Sequence, residues 1–304
     1  MALTDRRRVN GPALPTSIPF YDTPAPAPTV SRSPTELRKI FLKTSLTPPA
    51  SGSAFYELTP PSTLKLTTSV YGPRPLPPSA GFSPTARVTA ELKFAPFSTR
   101  GERRGYVRDG LERELSLQLQ IAISGMVRAS AYPKSGIDVF VTVLDCEGRI
   151  EEMIGVDAAE GEGERASLGA MQVLTGAITC ASTAIADAGI ECVDLVAAGM
   201  AALVEAKDGK DMVVMDPSPL DGWQVRAAVL VGYMAARDEI TLVWSRGEVG
   251  VEEFTGVMES AVEVATKVRG VVNDAVRERL VALLKARGKK EGKKAITEDV
   301  EMTG

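Results

Sequence analysis

Histidine is missing from all 304 residues, which removes the commonest proton shuttle and metal ligand at neutral pH. Only three cysteines are present, Cys146, Cys180 and Cys192, with no C-x-x-C pair among them. That scarcity excludes the usual zinc sites and a disulfide framework, and an odd number of scattered thiols fits a reducing compartment. Aromatic residues are few, at 5%. No run of about 18 uninterrupted apolar residues occurs. Met1 to Val9 leads into charge and proline instead of a signal-peptide core, so a soluble, intracellular protein is expected. Excess positive charge is also lacking: 35 Lys and Arg face 39 Asp and Glu, a formal net charge of −4. The chain is therefore no general polyanion binder, and any nucleic-acid contact has to come from a local basic patch.

Proline is present but segregated, with 17 of the 20 prolines at or before Pro96. Residues 1–34 carry seven of them without hydrophobic periodicity, which predicts an extended or disordered arm. Ile18, Phe20 and Tyr21 would let the arm pack along a neighbouring subunit instead. A single domain is expected over 35–287, with an acidic, Gly-rich insertion at 145–165 and a basic, polar tail at 288–304. That tail reads as a solvated helix end, or alternatively as a nuclear address or RNA tether.

Within the domain, strands are expected from Gly52, over Thr63–Tyr71 and over Arg87–Phe94. From Asp109 the apolar period becomes helical, with Leu111, Leu115, Leu119, Ala122 and Met126 on one face. Ile137–Leu144 is a nearly continuous apolar strand, and Ala166–Ala188 is a helix of small residues closed by Gly189. Strands over Val193–Val204, Met212–Met215, Val225–Met234 and Glu239–Trp244 precede a helix from Val251 to about Arg287. The order predicts an α/β (α+β) domain in which one long C-terminal helix covers a sheet.

The run from Lys93 to Arg104 reads as a strand end, a proline break and a basic loop opening onto a helix. Arg100, Arg103, Arg104 and Arg108 are the candidate RNA-binding residues, because a guanidinium offers a planar fork to phosphate oxygens without reading sequence. A solvated loop whose arginines pair with Glu102 and Asp109 is the alternative. Only Tyr106 is noted nearby as an aromatic, so base-specific recognition is not expected. The carboxylates of Glu151, Glu152 and Glu160 to Glu164 lie in a Gly-rich stretch with no rigid element to fix two metals, so no metal site is expected.

Three segments in order resemble the RNase PH family: Phe94–Thr99 with the following arginines and Glu112–Ser116, Tyr132–Val141, and Ala181–Ile190 running into Asp194. The N-terminal blocks Asp5–Pro12, Ser33–Arg38 and Gly52–Tyr56 are similar to one branch, the ring subunits of the eukaryotic RNA exosome. The resemblance implies an RNase PH-like βαβα domain, ribosomal protein S5 domain 2-like, needing no cofactor. It implies other RNase PH-like ring subunits as partners, in a heterodimer within a six-membered ring. RNA-binding cap subunits, single-stranded RNA and an associated nuclease are implied as well, with no membrane. A location in nucleus, nucleolus and cytoplasm is implied too.

Phosphorolytic members of that family hold phosphate on a Gly-Gly-Thr-Arg-Thr-type turn at the start of the Ala/Ser helix. The matching turn falls at Met171–Thr175, with Leu174 in place of the arginine. The family's acidic pair falls near Asp216 and Asp221 but is broken, and Gly110–Leu111 replaces paired arginines at the first long helix. No catalytic residue is expected. The rival expectation is an active phosphate-dependent 3′→5′ exoribonuclease using Thr175, Thr179 or a rearranged loop for phosphate and Asp221 as the acid.

Overall fold

Strict alternation of buried and half-buried residues along Leu64–Tyr71 marks a strand with one face in a core and one turned away. The structure is a computed structural model. It describes residues 32–59, 63–77, 79, 81–98, 107–146, 162–205, 211–218, 221 and 223–302, without the side chains of 162–167 and 286–302.

Nine strands and three α-helices are described. They are β1 Ile40–Thr44, β2 Gly52–Leu58, β3 Leu64–Pro75, β4 Arg87–Phe94, α1 Gly110–Ser124, β5 Ser135–Cys146, α2 Glu162–Asp187, β6 Ala197–Glu205, β7 Asp211–Met215, β8 Gln224–Met234, β9 Glu239–Gly247 and α3 Val251–Met302. Five strands form one sheet in the order β1-β2-β3-β5-β4, and four form a second in the order β7-β6-β8-β9. All pairings are antiparallel except β4 with β5, whose parallel register runs from Arg87↔Gly136 to Phe94↔Val143. A parallel pair needs a long crossover, and α1 lies in it.

One core joins Leu66, Val70, Val139 and Val141 of the first sheet to Leu115 and Leu119 of α1 and Leu174 and Ile178 of α2. It continues to Ala198, Met200 and Ala202 on the near face of the second sheet. The far face, with Ala201, Leu203, Val229 and Val231, packs on Val257 and Ala261 of α3. The layers therefore run sheet, helices, sheet, helix, the βαβα order expected. Within α2, Leu168–Asp187 is long and apolar enough to cross a membrane by length and composition, and it lies buried between the sheets.

Small residues let these layers approach. A Cβ on Gly199 of β6 would lie 2.1 Å from the Ala261 carbonyl oxygen of α3, and one on Gly52 of β2 would lie 2.3 Å from the Ala188 nitrogen. Two buried carboxylates then fasten the helices. Asp187 accepts from the Ser53 backbone N–H (3.0 Å) and Arg279 Nε (2.8 Å), tying the end of α2 to β2 and α3. Asp194 accepts from Arg269 Nη2 (2.7 Å) and the Ala236 N–H (2.9 Å).

Several expectations need correction. The ordered body begins before residue 35, because Arg32 and Pro34 already bond to the second half of the chain. β1 was not foreseen; its five residues are too few to show a period and become a strand by pairing with β2. Residues 193–196 are not strand, since the bonds to Asp194 hold them as a turn. α2 starts at Glu162, ahead of Ala166, and α3 does not stop at Arg287 but runs to Met302 through a stretch whose four lysines and three glutamates favour helix. The arm up to residue 31 and most of the 145–165 insertion lie outside the described residues.

Candidate nucleic-acid interface

Glu112 governs where the arginine-bearing segment leaves the fold. It is the third helical residue of α1, where a glutamate reaches back to the N-cap, and Asp109 with Glu112 forms a capping box. Glu112 is buried; its Oε2 accepts from the Asp109 N–H (3.1 Å) and its Oε1 from the Phe94 N–H (2.9 Å). One carboxylate thus holds both ends of residues 95–108, and their stem is closed. On the strand side, Ala95 N–H donates to the Val143 carbonyl, Ser98 N–H to Ala95 O and Cys146 N–H to Ser98 O, each at 2.9 Å.

Of the four candidate arginines, Arg100, Arg103 and Arg104 lie outside the described residues, as does Glu102. Arg108 is described. Its Nη2 stands 3.1 Å from Glu91 Oε1 on β4, with the side chain 41% exposed. Its partner is therefore Glu91 and not Asp109, which serves as the helix cap. An exposed pair of this kind is weak and leaves the outer edge of the guanidinium open to water or phosphate.

Met171–Thr175 does not form a turn. All five residues lie inside α2, and the expectation of a turn there is corrected. Leu174 is fully buried in the core between the sheets, and Thr175 Oγ1 donates to the Met171 carbonyl (2.8 Å). Thr179 Oγ1 donates to the Thr175 carbonyl (3.1 Å) and accepts from the Ala198 N–H (3.3 Å). The hydroxyls that the rival reading needs for phosphate are occupied by their own helix and by β6. The helix interior offers no free N–H donors to an anion.

The two acidic residues after β7 are brought together, but each is taken by an arginine from the segment before β1. Arg38 Nε donates to Asp216 Oδ2 (2.8 Å), its Nη2 pairs with Oδ1, and its backbone N–H also reaches Oδ2 (3.1 Å). Arg32 pairs with Asp221 through Nη2 and through Nε (3.3 Å), and its Nη2 donates to the Asp216 carbonyl (2.9 Å). The Ser218 N–H also bonds to Asp221 Oδ2 (3.0 Å). Burial lowers the affinity of Arg38 for its proton, yet the charge and hydrogen bonds of Asp216 more than offset this and hold it above the ordinary arginine value. Burial also pushes the Tyr56 phenol up, and the Asp216 charge adds to it. Carboxylates neutralised in this way are poorly placed to transfer a proton. Among the described residues, no three His, Cys, Asp or Glu side chains gather as a metal site.

The profile of the 3′ exoribonuclease family, domain 1, known as RNase PH, matches residues 36–191, about half of the chain. The exosome complex component MTR3 of Chaetomium thermophilum is 40% identical over 289 residues, covering 91% of this chain and 99% of its own length. The chain belongs to the RNase PH family. A second family member, the exosome complex component mtr3 of Schizosaccharomyces pombe, is 33% identical, covering 90% of this chain and 96% of its own. The RNase PH fold is met again in the Archaeoglobus fulgidus exosome with RNA bound to the active site. That structure superimposes with a TM-score of 0.58 at 16% identity, covering 79% of this chain and 90% of that one.

Within this RNase PH chain, Arg32 and Arg38 are the site residues that sequence reasoning missed. Arg38 ends the Ser33–Arg38 block that carried part of the resemblance, so it was visible as a marker but not as the counterion of Asp216. Their separation by 178 positions hides that pairing.

Proposed function

We propose that this chain is a non-catalytic structural subunit of the RNA exosome core ring, supporting 3′→5′ RNA processing and degradation by assembling the ring and guiding RNA to its channel. Likeness to two exosome complex components over nine-tenths of the chain supports the assembly. The observation that carries the absence of catalysis is the pairing of Asp216 and Asp221 with Arg38 and Arg32, which spends both carboxylates within the fold. Leu174, where the phosphate-binding arginine of active members is expected, supports the same reading because it faces the core. Other RNase PH-like subunits are the proposed ring neighbours, with RNA-binding cap subunits above and an associated nuclease that performs the cleavage. Arg100, Arg103, Arg104 and Arg108 are the proposed contacts to RNA phosphates. The proposed location is nucleus, nucleolus and cytoplasm.

The test is release of nucleoside diphosphates from labelled single-stranded RNA in inorganic phosphate, by the purified chain and by the reassembled ring. The chain alone should release none, and a ring carrying Asp221→Asn should match one carrying the native residue. Phosphate-dependent release by the chain that disappears in the folded Asp221→Asn variant would make it an exoribonuclease.

A further inference from the structure

A sheet ends in strands whose outer backbone groups lack a neighbour, and folded chains usually blunt those edges. Three of the four edges here are provided for among the described residues. β4 is met by α1: the Leu92 N–H donates to Ser116 Oγ and the Phe94 N–H to Glu112 Oε1, both at 2.9 Å. At β7 the Met215 N–H donates to the Pro34 carbonyl (2.8 Å). β1 is only five residues long and carries the exposed Lys43. β9 is different. It runs for nine residues at the end of the second sheet, and among the described residues its backbone bonds only to β8.

The free edge is also apolar on both sides. On the side of α3, Val243 pairs with Val231 and Ile240 with Tyr233 of β8, and both are 43% exposed. On the other side lies α1. Arg246 Nη2 of β9 donates to Glu114 Oε1 of α1 (3.4 Å), and a Cβ on Gly125 would lie 3.6 Å from Thr241 Cγ2. The helix therefore runs antiparallel along the strand. From Glu114 to Gly125 it rises about 17 Å, the distance that Thr241 to Arg246 covers in a strand. Leu117 and Ile121 fall on the same helical stripe between those two contacts, 57% and 47% exposed.

This arrangement selects its occupant. A strand laid along β9 would meet Ile240 and Val243 on one side and Leu117 and Ile121 on the other, so it must be apolar on both faces. Such strands belong to sheets covered by helices on both faces, as the second sheet is here, with α2 on one face and α3 on the other. An isolated peptide would leave the α1 stripe uncovered. About 30 Å of edge, with a sheet and a helix layer roughly 20 Å deep together, gives about 600 Å² on each partner, the scale at which stable interfaces begin. We propose that β9 and α1 form the docking surface for another RNase PH-like subunit, whose edge strand extends the second sheet antiparallel and whose helix covers Leu117 and Ile121. The inference rests on the ring-subunit reading above and adds the face of this chain that takes one neighbour.

The experiment mixes the full chain with each other RNase PH-like ring subunit of the same source and follows complex formation by light scattering and amide hydrogen exchange. The native chain should form a one-to-one complex with one of them, in which the β9 amides exchange more slowly than in the free chain. Val243→Lys and Ile121→Lys, both at exposed positions, should leave the melting temperature unchanged and each weaken that complex about a hundredfold. Exchange in the native complex needs no variant, so it decides the case even where a variant melts early. If the complex forms but the β9 amides are unchanged, or both lysine variants bind like the native chain, the inference is overturned and the ring-subunit reading stands. If the native chain pairs with itself through β9 instead, the occupant is a second copy and the inference is overturned. If it joins no RNase PH-like subunit, both readings fail.

Discussion

Replacing Arg38 by alanine should unfold this protein more readily than almost any other single loss of charge. The Arg38 side chain is 1% exposed and that of Asp216 is 16% exposed, so the substitution strands a carboxylate largely out of water. Breaking a buried pair from one side costs about 3–5 kcal/mol. Asp216 would keep the Arg38 backbone N–H at 3.1 Å and Arg32 Nη1 at 3.9 Å, which places the expected loss at the lower end, about 3 kcal/mol. For a domain of this size that lowers the melting temperature by roughly 6–12 °C. Urea denaturation of the full chain measures it, and a cycle with Asp216→Asn isolates the pair. Because the asparagine no longer leaves a stranded charge, Arg38→Ala should cost about 2 kcal/mol less in that background. A loss below about 1 kcal/mol, or additive single variants, would refute the assignment of Arg38 as the counterion of Asp216.

Other positions give further tests. Gly199→Ala would drive a methyl into the Ala261 carbonyl of α3, so a loss of at least about 2 kcal/mol is expected by thermal denaturation; an unchanged melting temperature would mean that α3 does not sit so close. Leu174→Arg should destabilise by about 3 kcal/mol or more and give no phosphorolysis, because the new charge would enter the core; recovered activity in the nucleoside diphosphate assay would oppose this. Ser182 Oγ is buried with no partner among the described residues, so Ser182→Ala should be neutral or stabilise by about 1 kcal/mol in urea denaturation. Burial pushes the Cys180 thiol from 9.0 up to about 12, and that of Cys192 up to about 11 with help from the Asp194 charge. Between those limits the unfolded chain loses protons that the folded chain keeps, so stability is fully present below pH 9 and falls as pH rises toward 12. Urea midpoints from pH 8 to 10 should decline, and Cys180→Ala should reduce the slope.

Sequence alone determined the order of elements from β2 onward and the covering of a sheet by a long C-terminal helix; the βαβα layering came from the resemblance. Alternation in Leu64–Tyr71, the helical period after Asp109 and the small-residue helix ended by Gly189 are local signals, since each depends only on which face of an element must be buried. The resemblance added the family from blocks of contiguous residues. What only the tertiary structure decided are pairings between distant residues: β1 against β2, Arg279 against Asp187, and Arg32 and Arg38 against Asp221 and Asp216. The turn at Met171–Thr175 came from the resemblance alone; the small-residue stretch Ala166–Ala188 already read as helix there, and the structure keeps all five residues helical. Local periodicity records what each segment needs to bury; where a charge finds its counterion depends on the closure of the whole chain.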